Sequence, residues 1–184
     1  MEQFARTIIG YHGCRRSFAK NLLSGKVPIT EWKPSQNRWD WLGHGVYFWE
    51  HSPQRALRWA QERYADRADA IGVVVQLGRC FDLLDESITS LLTKSYQELV
   101  EVFSGPLPVN SGRDAKRREL DCLVINYSLD RLKERGIEYD TVRGAFLEGA
   151  PVYPGSGFSE ETHIQLAVRN AACILGVFRP NLTS

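Results

Sequence analysis

The chain lacks most of the features that would assign it to a class at once. Of 184 residues, four are cysteine (Cys14, Cys80, Cys122 and Cys173) and one is methionine. No two cysteines are spaced as CxxC, and none has a histidine at metal-ligand spacing, so no metal site is expected. Cys80, Cys122 and Cys173 sit in apolar runs and read as small core residues. Disulfides are not expected, which suits a cytoplasmic setting. Charge of one sign is also missing. Lys and Arg number 23 against 22 Asp and Glu, a net charge of +1, so no global field draws the chain to nucleic acid or to a membrane. The runs Arg15-Arg16 and Arg113, Lys116, Arg117 and Arg118 read first as solvated surface. No apolar run is long enough to cross a bilayer, and MEQFARTIIGYHG has no basic-then-apolar leader pattern. Repeats and low-complexity segments are absent.

What is present is an ordinary globular balance, 43% hydrophobic and 24% charged, expected to fold as one domain over residues 1–184. ARTIIGYHG reads as a strand, and SFAKNLLSGK as a helix capped by Ser17 and stopped at Gly25. Residues 27–40 read as a loop and GVYFWE as a second strand. Ser52 and Pro53 mark the start of a helix in which Ala56, Trp59, Ala60 and Tyr64 recur at helical spacing. AIGVVVQLGRCFDLLD predicts a buried strand that turns into another. SITSLLTKSYQELVEVF and RRELDCLVINYSLDRLKERG predict helices, and YDTVRGAFLEG a strand. A Gly/Pro/Ser-rich loop follows, then two strands in ETHIQLAVRN and ACILGVFRP. The sum is an α+β domain.

One stretch stands apart. WDWLGHGVYFWE, residues 39–50, crowds three tryptophans, a tyrosine and a phenylalanine around Gly43-His44-Gly45. Stacking on a flat ring and close approach to backbone both call for such a composition. YHG at 11–13, GHGVYF at 43–48 and ETHIQLAV at 161–168 also occur in a telling order, with Ser52-Pro53 opening a helix after the second. This resembles the NAD-dependent ADP-ribosyltransferases, in particular the His-Tyr-Glu class that includes diphtheria toxin and the poly(ADP-ribose) polymerase catalytic domain. VVVQLGRCFDLLD looks like that family's middle strand, Leu-Gly turn and following strand. Residues 85–140 carry no part of the likeness.

The resemblance implies a split β-sandwich core with flanking helices, and NAD+ as substrate. It implies that His12 hydrogen-bonds the adenosine ribose, that the backbone of Gly13 grips the nicotinamide amide, and that Tyr47 stacks on the nicotinamide, with Gly45 beside it. The second stacking ring falls at Arg58 in the family's spacing. Trp59, next to it, either takes that role or is buried under its helix. The third catalytic position has two readings, Glu161 and Gln165. Strand alternation puts Glu161, His163 and Gln165 on one face and turns Glu160 away. A glutamine hydrogen-bonds a ribose hydroxyl but cannot take its proton, which favours a mono-transferase over a chain-elongating enzyme. The loop 149–159, with Tyr153 and Phe158 at its tips, is placed to meet the acceptor. Cys14 reads as a small polar contact. The activity implied is mono-ADP-ribosylation of a macromolecular acceptor, RNA, DNA or protein, by a toxin or defence effector that a neutralising antitoxin partner would hold in check. The alternatives are a non-catalytic module that binds NAD+ or ADP-ribose, and an NAD+-consuming RNA 2′-phosphotransferase, which needs several arginines around a phosphate.

Overall fold

A computed structural model describes residues 6–112 and 117–182. Arg113 and Lys116 of the basic cluster lie outside the described residues. Among the described residues, strands and helices alternate early and separate late: β1 (Thr7–Arg15), α1 (Arg16–Leu23), β2 (Val46–Glu50), α2 (Pro53–Tyr64), β3 (Ala68–Gln76), β4 (Cys80–Asp82), α3 (Glu86–Val102), α4 (Glu119–Glu134), β5 (Thr141–Phe146), β6 (His163–Val168) and β7 (Ile174–Phe178). The α+β expectation holds, element by element. Pro53 begins α2, where its missing N–H costs nothing. Neither expected serine cap forms: the Ser52 side chain caps nothing, and Ser17 lies inside α1, which starts from an uncapped Arg15.

The strands form one hydrogen-bonded sheet in the order β4-β5-β6-β2-β1-β3-β7. β4 and β5 run parallel, and the other neighbours are antiparallel. One face buries Ile8, Phe48, Ile71, Val73, Leu166 and Val168 under α1 and the 27–40 loop. The other face carries two clusters. Ile125, Leu129 and Leu132 of α4 pack on Phe81, Val142 and Ala167, and Ala56 of α2 packs on Trp49 and Ala70. A side chain at Gly13 would put a Cβ 2.2 Å from the Ala56 carbonyl oxygen, so the lack of one lets α2 lie directly on β1.

The sheet is weakest in its middle. β1 pairs with β3 along its whole length, Thr7↔Gln76 through Arg15↔Ala68, but with β2 only at Gly10↔Glu50 and Tyr11↔Trp49. Beyond Tyr11 the two strands part. Each stays held by its other neighbour, β1 by β3 and β2 by β6 from Val46↔Val168 to Trp49↔Gln165.

A buried ion pair braces the β2 side of this parting. Arg143 on β5 donates from Nε and Nη2 to the two Glu50 carboxylate oxygens, at 2.6 and 3.0 Å, and from Nη1 to Asp82 at 3.2 Å. The Arg143 and Glu50 side chains are only 10% and 11% exposed. The bidentate geometry offsets their desolvation. Arg143→Ala leaves Glu50 buried without its partner and is expected to cost about 3–5 kcal/mol of unfolding free energy. Urea denaturation measures this, and a loss below 1 kcal/mol would show that water reaches the pair.

Candidate functional site

Where β1 and β2 part, a cleft of about 800 Å³ opens. Small-molecule sites typically run to about 300–1,000 Å³. His12 and Gly13 from β1, Gly45 from the turn before β2, Tyr47 from β2, Trp59 from α2 and Gln165 from β6 all line it. Six of the seven residues expected from the sequence to act together therefore share one cavity.

His12 spans the parting. Its Nδ1 lies 2.8 Å from the Tyr47 carbonyl oxygen. A carbonyl only accepts, so Nδ1 carries the proton and Nε2 of the neutral ring is left as an acceptor. Trp32 meets the imidazole edge-on at 4.9 Å between centroids, and Phe48 packs at 5.8 Å. Burial among these rings lowers the His12 pKa from 6.5, opposed in part by the bond to the Tyr47 carbonyl. His12 thus shares the aromatic cluster of one sheet face. Tyr47, one residue from Phe48 on β2, packs with the α4 cluster on the other. A continuous sheet would keep their side chains apart, and the parting gives both access to one space.

Tyr47 is fixed by its hydroxyl, which donates to the Gly43 carbonyl at 2.8 Å and accepts from the Leu42 N–H at 2.9 Å. Burial, with Asp40 nearby, raises its pKa well above 10, so the phenol stays neutral. The glycines of the preceding turn have a structural reason. Gly43 adopts φ +74°, and a Cβ there would lie 2.8 Å from Asn126 Oδ1. That oxygen instead accepts from the His44 N–H at 3.1 Å and from Arg169 Nη1 at 3.3 Å, which pins the turn to α4. Gly45 exchanges two backbone hydrogen bonds with Ser35, at 2.8 and 3.1 Å, and so fastens the 27–40 loop as the cleft's far wall.

The two readings of the third position separate. Gln165 lies in the cleft, beside Trp49 in the β2–β6 register, and its Oε1 accepts from Trp41 Nε1 at 2.6 Å. Glu161 does not line the cleft. β6 begins at His163, so strand alternation never reaches residue 161. The Glu161 carboxylate bonds instead to Arg58 at 3.0 Å, with Arg55 at 3.8 Å, both in the first half of α2. Arg55 is already paired with the buried Glu148 at 2.6 Å. Trp59 is half-buried at the cleft wall, 5.8 Å from Trp49, and Arg58 points to Glu161. Tyr153 and Phe158 are 60% and 73% exposed on the loop before β6.

Cys14 lines the cleft as a thiol, pushed up to about 12 by burial and the nearby Asp69. Among the described residues, no group of three His, Cys, Asp or Glu side chains is placed to hold a metal ion. Several cleft residues were not singled out from the sequence. Trp32 sits in what reads as a plain loop, and Trp39 and Trp41 belong to the aromatic stretch 39–50 but carry no individual role there. In the structure Trp41 holds Gln165, while Trp39 is 44% exposed on the cleft wall under Arg117. Their only sequence signal is aromatic density around the Gly43-His44-Gly45 turn. Known protein families, curated proteins and solved structures yield no match to the chain.

His12 and His163 are both held below 6.5, chiefly by burial. Their unfolded forms take up protons first as pH falls, so their contribution to stability is present above about 6.5 and is lost below it. Unfolding free energy should drop from pH 7 to 5.5 by up to about 1.4 kcal/mol per unit for each group. His12→Asn, which keeps an N–H for the Tyr47 carbonyl, should flatten that slope. An unchanged slope in urea titrations would mean that His12 titrates alike folded and unfolded.

Proposed function

We propose that the protein is a mono-ADP-ribosyltransferase that uses NAD+, built on a split β-sandwich that parts between β1 and β2. The observation that carries this reading is the convergence of His12, Gly13, Gly45, Tyr47, Trp59 and Gln165, from four separate elements and a turn, on one cleft. In this reading the nicotinamide ring lies against Tyr47, with Trp59 on its other side and the Gly13 backbone at its amide. His12 Nε2 accepts from a ribose hydroxyl. The C1′–N bond to nicotinamide breaks with its electron pair leaving on the nicotinamide. A bond from C1′ to an acceptor oxygen or nitrogen forms, and the acceptor's proton passes to solvent water, since no carboxylate of the proposed set lines the cleft. The sugar is oxocarbenium-like between these events, and polar groups fixed beforehand stabilise it without reorganising. Gln165, its Oε1 held by Trp41 Nε1, supplies such a group as a fixed side-chain amide at a ribose hydroxyl.

Gln165 also supports a second reading, an NAD+-binding module without turnover. The amide takes no proton, and Glu161 is tied to Arg58 rather than lining the cleft.

Incubation with NAD+ separates the two. Nicotinamide release marks a transferase, binding without release marks the module, and no binding at millimolar NAD+ removes both. Tyr47→Ala is expected to weaken NAD+ binding by at least tenfold through loss of stacking. Gln165→Ala should lower kcat more than it raises KM if the amide acts at the sugar.

A further inference from the structure

At the end of the cleft where β1 meets α1 and α2 stops, the wall carries Arg15, Arg63 and Tyr64. The Arg15 guanidinium carbon lies 5.2 Å from the Tyr64 ring centroid. That of Arg63 lies 6.0 Å from the same centroid and 5.5 Å from the Trp59 ring. Two positive charges are therefore gathered on one aromatic ring. Cation–π attraction holds each of them there, and their mutual repulsion works against it. Among the described residues neither makes an ion pair. Their neighbours on α2 behave differently, since Arg55 is paired with Glu148 and Arg58 with Glu161. The cleft wall has carboxylates at Glu31 and Asp40, but Asp40 accepts the Asn37 N–H at 2.8 Å, and neither forms an ion pair with these arginines.

Like charges left uncompensated on the wall of a concave site concentrate anions, and guanidinium groups match phosphate oxygens through paired N–H donors. The geometry points to Arg15 and Arg63 as a subsite for the diphosphate of the bound dinucleotide, with Tyr64 as the positioning residue that holds the two guanidinium groups. This rests on the NAD+ reading of the same cleft and extends it. The substrate class becomes nucleotides linked through a diphosphate, recognised by charge here and by ring stacking at Tyr47. The aromatic run Trp49, Trp59, Tyr64, with successive centroids 5.8 and 6.2 Å apart, connects the ring-stacking part of the cleft to this charged end. The overall charge of +1 could not reveal such a site, because it is local.

Calorimetric titration of wild type, Arg15→Gln, Arg63→Gln and the double variant with NAD+, ADP-ribose, nicotinamide and inorganic pyrophosphate tests the assignment. Each single change should weaken NAD+ and ADP-ribose binding roughly tenfold, and the pair about a hundredfold, with nicotinamide binding unchanged. The loss should shrink as salt is raised, because screening weakens the wild-type contact. Arg63→Lys should recover part of the affinity, since charge returns without the fork. Undiminished ADP-ribose binding by the double variant overturns the subsite. So does a loss confined to a single-stranded RNA oligonucleotide, which would make the pair an acceptor contact. If wild type binds NAD+ and ADP-ribose through these arginines but releases no nicotinamide, the subsite stands and the transferase reading falls. Far-ultraviolet circular dichroism of each variant checks that these exposed substitutions leave the fold intact.

Discussion

The bond from His12 Nδ1 to the Tyr47 carbonyl, 2.8 Å long, joins two strands after their backbone ladder has ended. Had β1 and β2 continued to pair past Tyr11, the space now open between them would be filled by backbone hydrogen bonds. Had nothing joined them there, the parted edges would expose unpaired backbone groups and lose their relative position. One side chain answers both needs. It uses a single ring nitrogen to do so, and the same bond leaves the other nitrogen of the neutral ring unprotonated. The rings packed on it, Trp32 above all, favour its neutral form.

The rest of the cleft depends on that parting being held at a constant width. On one side, α2 lies so close to β1 that only glycine fits at residue 13. On the other, Asn126 and Arg169 pin the Gly43–Gly45 turn, and Tyr47 closes the turn through its hydroxyl. Arg143 ties the far end of β2 to β5 and β4 through Glu50 and Asp82. Polar groups near the site are mostly committed to this scaffold. Charge follows the same division. Glu148 and Glu161 are drawn to arginines in the first half of α2, which leaves β6 an amide in the cleft and, among the described residues, leaves Arg15 and Arg63 without an ion pair at its end.

Much of the fold was legible along the chain because its signals are local. Helix periodicity in residues 53–64, the β-branched run before Gln76 and the glycine stop after Leu23 are each set within a few residues, and each element appears where those patterns place it. The serine caps were not legible, since capping depends on side-chain direction at a helix start, which Ser17 and Ser52 do not present. For the cleft, the residues of short motifs were legible: His12, Gly13, Gly45 and Tyr47. Glu161 was placed by extending strand alternation two residues past the true start of β6, where the backbone no longer alternates.

Sequence alone determined the elements and the chemistry each could bring, because propensity and periodicity are properties of neighbouring residues. Only the tertiary structure decided which of them meet. The width of the gap between β1 and β2, the presence of Gln165 rather than Glu161 on the cleft wall, the hold of Trp41 on that amide and the gathering of two arginines on Tyr64 all depend on contacts between residues far apart in the chain. Such contacts arise from packing and charge pairing across elements, which leave no period in the sequence.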